Sequence, residues 1–483
     1  MKRTLIATAA TLMVVTLAVA QKPDRSAPPP VGPPPAFSVP AIEKFTLPNG
    51  LPVYVLEKHQ VPLVQINLLV QAGTVMDPSG KSGLANMTSA MMMEGAGKRS
   101  ALALADAIDY LGARITSTAG QHAMAVRLHT PLVQLDSALA LLADIALRPT
   151  FPAAELERKT KERLTALLQW RDEPRMLSTV AFNHTLFGTH PYGIPVIGSE
   201  ATLRGLTSKD CAEFHATWFR PNYAALIVVG DVSIKKIRPK LVAAFGSWKA
   251  GKGAAPPLPR IEQVTKREIV LVDKPGAAQT EIRIGRIGVP RLTEDYYALL
   301  VMNTILGGSF SSRLNNNLRE QHGYTYGASS TFDFRPLPGP FLAASAVQTA
   351  VTDSALVQFM KELHGILEPI SDAEVERAKN YVALGYPADF QSVAQIAGQI
   401  EELVTYHLPD SYFNNFIRNI LAVTREDVQR VARKTIDPER VALVLVGDRK
   451  VIEEPVKALN LGPIVYRTVD DVLGKAPLLE SGR

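Results

Sequence analysis

The chain has 483 residues, 46% apolar and 20% charged, a globular composition with room for two or three domains. Its formal net charge of +6 is spread along the chain without a Lys/Arg tract, which argues against nucleic acid as a partner. A single cysteine, Cys211, excludes an internal disulfide, so stability must come from the packed core.

Met1–Ala20 reads as a secretory signal peptide. Lys2 and Arg3 precede an apolar run from Leu5 to Val19, and small residues lead to a cleavage site after Ala20. The expected compartment is therefore exported and periplasmic. No cysteine follows that site for lipid attachment. No later stretch is long and apolar enough to cross a bilayer, so stable membrane insertion is not expected after cleavage. Residues 21–42 hold two PPP runs and read as an extended Pro-rich tether.

Regular structure is expected from Glu43. Asn49-Gly50 lies between strand-like runs and predicts a hairpin, followed by a strand over Val61–Ala72. From Gly83 small and apolar residues recur at helical spacing, with Asn86, Thr88, Ser89 and Ala90 where packing should be tightest. The bland account is a small-residue face that lets a neighbouring element approach closely.

A second helix runs from Ser100 to Leu111, and strands follow over Ala113–Thr118 and His122–His129. His122 and His129 fall on opposite faces by alternation, which rules against a shared metal. Helices are predicted from Pro131 to Leu147 and, amphipathic, from Pro152 to Trp170. Phe182–Gly198 is loop-rich, and its His184 and His190 have no acidic or cysteine partner nearby for a metal. A helix from Thr207 and a buried strand, Ala224–Gly230, complete a first unit spanning 43–248.

Residues 249–263 form a Gly/Pro/Ala-rich linker, after which the pattern restarts. The segment from Leu206 (LTSKDCAEFHATWFRPNYAALIVVGDV) aligns without a gap to that from Val423 (VTREDVQRVARKTIDPERVALVLVGDR), 217 residues later. Two units made by duplication, 43–248 and 264–461, explain the length better than three unrelated domains. The tail, 462–483, shows no clear periodicity and is expected to be partly disordered. Gly95–Ser100 (GAGKRS) fails as a phosphate loop, because the upstream glycine and the Ser/Thr after Lys98 are missing.

The segment from Gly83, GLANMTSAMMMEGAGKRSALALADAIDYLGARI, resembles the first zinc-site region of the pitrilysin/insulinase family of metallopeptidases. Active members carry GLAHxxEH there. Two histidines one helical turn apart hold zinc and the glutamate activates its water. The matching positions are Asn86 and Ala90 for the ligands and Ser89 for the base, a degenerate motif without zinc chemistry. The family's third ligand, a glutamate roughly 75 residues on, falls near Thr165, Ala166, Leu167 and Leu168.

In the second unit, NTILGGSFSSRLNNNLREQHGYTYGASSTF (Asn303–Phe332) resembles the family's other signature, a Gly-rich turn, Ser-Arg-Leu, Arg-Glu, Gly, and a tyrosine three residues later. HPYG-x-P-x-x-G, from His190, is a structural pattern of the same family.

The resemblance implies an α+β fold of two homologous αβ units, each a mixed, antiparallel-rich sheet packed with helices, facing each other across a chamber. It matches Arg313 and Tyr326 to the residues that grip substrate and the transition state in trans. Gly307, Gly308 and Ser312 would be substrate-binding. Read without the resemblance, Arg313 is a helix-surface ion pair with Glu320 or its neighbours and Tyr326 a core strand residue. The implied function is a non-catalytic, substrate-binding subunit of an exported zinc endopeptidase heterodimer. This chain would need no metal of its own. Zinc would belong to a homologous partner with intact HxxEH, and peptides would be the substrate. A structural or core binding protein without proteolysis, and a self-sufficient peptidase with an unrecognised metal site, remain open.

Overall fold

The Asn49-Gly50 turn, with Gly50 at φ +88°, opens the first sheet in a computed structural model that describes residues 32, 37–252 and 255–478. The signal-peptide reading falls on residues outside those described. The strands are β1 (Glu43–Thr46), β2 (Pro52–Glu57), β3 (Leu63–Val70), a separate short hairpin of β4 (Gly95–Ala96) and β5 (Arg99–Ser100), β6 (Arg114–Ala119), β7 (Met124–Pro131) and β8 (Ala224–Gly230). The first sheet is ordered β1-β2-β8-β3-β7-β6. The second unit adds β9 (Glu268–Asp273), β10 (Gln279–Ile287), β11 (Thr325–Phe332), β12 (Pro340–Gln348), β13 (Ala442–Gly447) and β14 (Ile464–Arg467). Its order is β11-β12-β10-β13-β9-β14.

Read in opposite directions, the two orders superimpose. β2 and β8 pair in parallel, as do β9 and β13, while β3 and β10 each run antiparallel to both of their neighbours. The repeat seen in the sequence falls on matched elements. Thr207 and Asp210 form a capping box, as do Thr424 and Asp427, and a buried strand follows each helix. This is a duplicated mixed α/β fold.

The helices that place the site are α1 (Leu84–Met91), α2 (Ala153–Trp170), α3 (Pro174–Phe187), α4 (Ser208–Trp218), α5 (Asp372–Gly385), α6 (Val393–Thr405), α7 (Arg425–Thr435) and α8 (Val469–Leu473). Each sheet has one face covered by helices of its own unit and the other partly covered by a helix of the other unit. Leu177, Ala181 and Phe182 of α3 cluster with Val270, Val272, Val444 and Val446 of the second sheet. In exchange, α6 lies on β3 and β8 of the first sheet. Strands buried on both faces read as apolar runs, which is why β8 and β13 carry no alternation.

Polar groups fix the second contact. Glu401 of α6 accepts from Arg127 Nε at 2.7 Å and from Asn67 Nδ2 at 2.7 Å, and its other oxygen accepts from Arg127 Nη2. Asn67 in turn accepts from Gln65 Nε2 at 2.6 Å, so the polar residues buried in β3 form one connected set.

The structure corrects two boundaries. The tether does not extend to residue 42. Phe37 packs on Tyr386 and Phe390 at ring-centroid distances of 5.6 and 5.1 Å, Val39 is buried, and the Val39 N–H donates to Asn414 Oδ1 at 2.8 Å. The tail is also ordered at its start. β14 adds a strand parallel to β9, and α8 packs on α3. Both segments are too short for a periodic signal. They are held by the surfaces they land on.

Replacing Glu401 by Ala should destabilise the protein by about 2 kcal/mol, less than for a fully buried pair because Arg127 is a third exposed. Chemical unfolding of the variant beside wild type measures this.

Candidate functional site

The helix with the degenerate motif begins where Gly83, at φ +90°, passes the Ile197 carbonyl too closely for any Cβ. Asp77 closes its first turn by accepting the Gly83 and Ala85 N–H groups at 2.7 and 2.8 Å, and burial pushes this carboxyl up to about 7. Ser89 is 1% exposed and shares a hydrogen bond of 2.8 Å with Ser117 on edge strand β6. Across from α1, Arg163 of α2 donates through Nη2 to Asn86 Oδ1 at 2.7 Å and to the Asn86 carbonyl at 3.1 Å.

These residues do not fit zinc. A metal there would need two or three anionic or imidazole donors. The positions hold an amide, a buried hydroxyl already engaged, a methyl group, and a guanidinium. The guanidinium is a fixed positive charge that repels a cation. Among the described residues no group of three His, Cys, Asp or Glu side chains is placed to hold a metal. The residue that meets Asn86 is Arg163, slightly before the stretch where counting placed the third ligand. Its cationic character was visible in the sequence, its contact was not.

Three of the histidines make structural contacts. His122 pairs with the Tyr192 hydroxyl, His129 Nδ1 lies 3.0 Å from Gln65 Oε1, and His190 caps the turn that buries Tyr192.

In the second unit the structure does not bring Arg313 and Tyr326 together. Arg313 donates to both Glu374 carboxylate oxygens, at 2.7 and 3.0 Å, and to the Gly365 carbonyl at 2.8 Å. Burial acts to raise the Glu374 pKa, but Arg313 and Ser371 overcome it and hold the carboxyl at about 2. Arg313 is therefore ion-paired, with Glu374 and not with Glu320. Gly307 and Gly308 are explained by close packing. A Cβ at Gly307 would lie 2.3 Å from the Ser330 nitrogen and one at Gly308 2.7 Å from Asn303 Nδ2. Ser312 is buried, and its hydroxyl makes no hydrogen bond.

Tyr326 is the opposite case. It is 92% exposed, on the outer strand of the sheet, where the β11–β12 register slips between Thr325 and Ala328. Thr325 Oγ1 accepts from the Gly327 N–H at 3.0 Å and donates to the Ala346 carbonyl at 2.7 Å, which pins the bulge and turns Tyr326 outward. It is not a core strand residue. Tyr324 instead stacks on His322 at 5.0 Å.

A second arginine of the same signature, Arg319, lies seven residues before Tyr326 on a segment that packs against β11. Its guanidinium covers the exposed Phe310 ring at 4.4 Å and lies 3.2 Å from Glu320 without hydrogen-bond geometry. It is far less committed than Arg313. The Arg-Glu pair was the signal for it.

Comparison with known proteins matches residues 53–200 to the model of "Insulinase (Peptidase family M16)" and residues 205–382 to "Peptidase M16 inactive domain". An uncharacterized zinc protease of Mycobacterium tuberculosis is 26% identical over 431 residues, 87% of this chain and 97% of that protein. A Streptomyces coelicolor counterpart is 24% identical, covering 85% and 90%. Among solved structures, a peptidase M16 inactive domain from Pseudomonas fluorescens aligns with TM-score 0.79 and 26% identity over 84% of this chain and 98% of its own. The first half of the periplasmic protease PqqL from Escherichia coli shares the fold, with TM-score 0.71 and 14% identity over 88% and 96%.

Two measurements follow. Elemental analysis of the isolated, dialysed chain should find far less than stoichiometric zinc. The second concerns Glu374, whose carboxyl drops from an ordinary 4.5 to about 2 on folding, so its contribution is complete above 4.5 and is lost as pH falls toward 2. Unfolding curves over that window should show the loss in wild type and a smaller one in Arg313→Ala.

Proposed function

The chain belongs to the insulinase family, peptidase family M16, and on that premise we propose that it is the non-catalytic, substrate-binding subunit of an exported zinc endopeptidase heterodimer. The observation that carries this reading is the mismatch between the two halves. The α1 helix meets Arg163 and cannot hold the metal, whereas Tyr326 is turned out to solvent by a pinned bulge with no internal contact to explain it. The partner would be a homologous chain with intact HxxEH, and the hydrolytic metal chemistry would be the partner's.

This chain's residues would supply grip and charge stabilisation. The Tyr326 phenol can donate a hydrogen bond to the oxygen that gains charge as the peptide carbonyl is attacked. A guanidinium can hold a second substrate carbonyl through two N–H donors. In this reading Arg319 would take that task in preference to Arg313, because releasing Arg313 would strip the Glu374 carboxylate of its chelating partner.

Mixing the purified chain with its zinc-bearing homologue should give peptide cleavage that neither shows alone. In that mixture Tyr326→Phe should lower kcat by roughly a hundredfold, and Arg319→Ala should lower kcat/KM by about tenfold. Arg313→Ala should act first on the melting temperature. Full cleavage by the homologue alone, with Tyr326→Phe and Arg319→Ala silent, would instead identify a core binding protein that keeps the fold without the chemistry.

A further inference from the structure

Beside Tyr326 the open face of the second sheet forms a groove of 430 Å³, and its charges are arranged unusually. Arg283, on β10, is 8% exposed yet contacts no carboxylate. Its Nε donates to the Ser178 hydroxyl at 2.7 Å and its Nη2 to the Arg175 carbonyl at 3.2 Å, both neutral groups. The Arg175 side chain lines the same groove and is exposed. It lies near enough to Arg283 for the two charges to repel, and burial, opposed by Glu281 and joined by this repulsion, favours loss of the Arg283 proton.

Among the described residues the acidic side chain lining the groove is Glu281, two residues from Arg283 on the same face of β10. It makes no ion-pair contact, and burial pushes its carboxyl upward against the pull of both arginines. Arg175 also sits in the first turn of α3, next to Pro174, where a cation opposes the helix dipole.

Each of these features is unfavourable within the chain itself. A buried cation has no carboxylate in contact and only Glu281 nearby, like charges are adjacent, and a positive group stands at a helix N-terminus. All three reverse when an anion enters. Docking α3 alone would not require a charge, since an amide at position 283 could satisfy Ser178 and the Arg175 carbonyl. Two guanidinium groups against one carboxylate leave a single positive charge, the complement of one carboxylate.

We propose that Arg283 and Arg175 form a specificity pocket for a carboxylate on the peptide held beside Tyr326, so that the preferred substrates carry an acidic residue close to the bond to be cut. The assignment of that carboxylate to a substrate rests on the peptidase reading above. The anion site itself does not. The carboxylate can come from a side chain or from the peptide's C-terminus, and these sources are separable by experiment.

The test uses the whole mature chain without its partner. Fluorescence anisotropy would follow short labelled peptides of Gly, Ser and Ala with one central Glu or Gln, each with a free or an amidated C-terminus. The Glu peptide should bind about tenfold more tightly than the Gln peptide, as expected for one charge-assisted pair. That ratio should fall toward one in Arg175→Gln, an exposed change that leaves the fold intact, and in Arg283→Gln.

A preference that follows the free C-terminus keeps the pocket and makes its ligand the chain end. Equal binding of all peptides, no binding at all, or a Glu preference that survives both substitutions overturns the proposal. Selective binding without restored cleavage would sink the peptidase reading and leave the pocket standing. Cleavage without selectivity would do the reverse.

Discussion

The exchange of helices between the two units is the constraint on which the remaining architecture depends. Each sheet, built from strands with apolar residues on both faces, needs cover on two sides. One unit provides only one layer of helices for its own sheet, and α3 and α6 cross over to supply part of the other. Neither unit can therefore be completed alone. The second crossing is not purely apolar. Glu401 draws together Arg127 and Asn67 of the first sheet, so the approach of α6 is set by directional bonds, which specify geometry more narrowly than apolar contact does.

The crossing also determines where polar groups can be left over. Because each borrowed helix covers only part of its sheet face, the outer strands of that face stay open, and the face bearing Ser329 on edge strand β11 borders the groove. Tyr326, Arg283 and the start of α3 meet there, and chemistry needing both a sheet edge and a helix terminus has few other places to sit. In the first unit, α1 stands against the matching edge strand of its own sheet, β6, through Ser89 and Ser117. The duplication thus gives two equivalent edge positions. One carries a spent metal motif and the other an outward tyrosine.

Much of this was legible in the sequence where the signal is local and repeated. Thr207 and Asp210, with their copies 217 residues later, announced the duplication, and the structure shows the same pairs closing two capping boxes. The loss of donors at Asn86, Ser89 and Ala90 is a matter of side-chain chemistry and needs no coordinates. What the sequence withheld was direction. The stretch around Arg313 contains π-helical turns at Thr304–Gly308 and Asn316–Gln321, which shift the angular phase of everything after them. Counting at the α-helical period then cannot tell whether Arg313 or Arg319 stays available, and it was the family resemblance that pointed to the one that Glu374 captures. Phe37, Val39 and β14 were missed for a different reason, since their positions depend on partners far away in the chain.

The state of the α1 site follows from the same physics. Removing metal donors from a half-buried helix face leaves polar backbone and a void, and both are costly unless something fills them. Arg163 provides the filling. Its guanidinium satisfies Asn86 through both the side chain and the carbonyl, while its buried Nε remains unpaired. A long cation in place of a metal keeps the local charge positive and packs the space. A single back-substitution at position 86 would then still face that cation, so the helix cannot regain a metal one residue at a time. Packing thus commits the α1 face to Arg163, whereas Tyr326, on an exposed edge, has no such internal contact. An exposed tyrosine held on a pinned bulge is free to meet a group outside the chain.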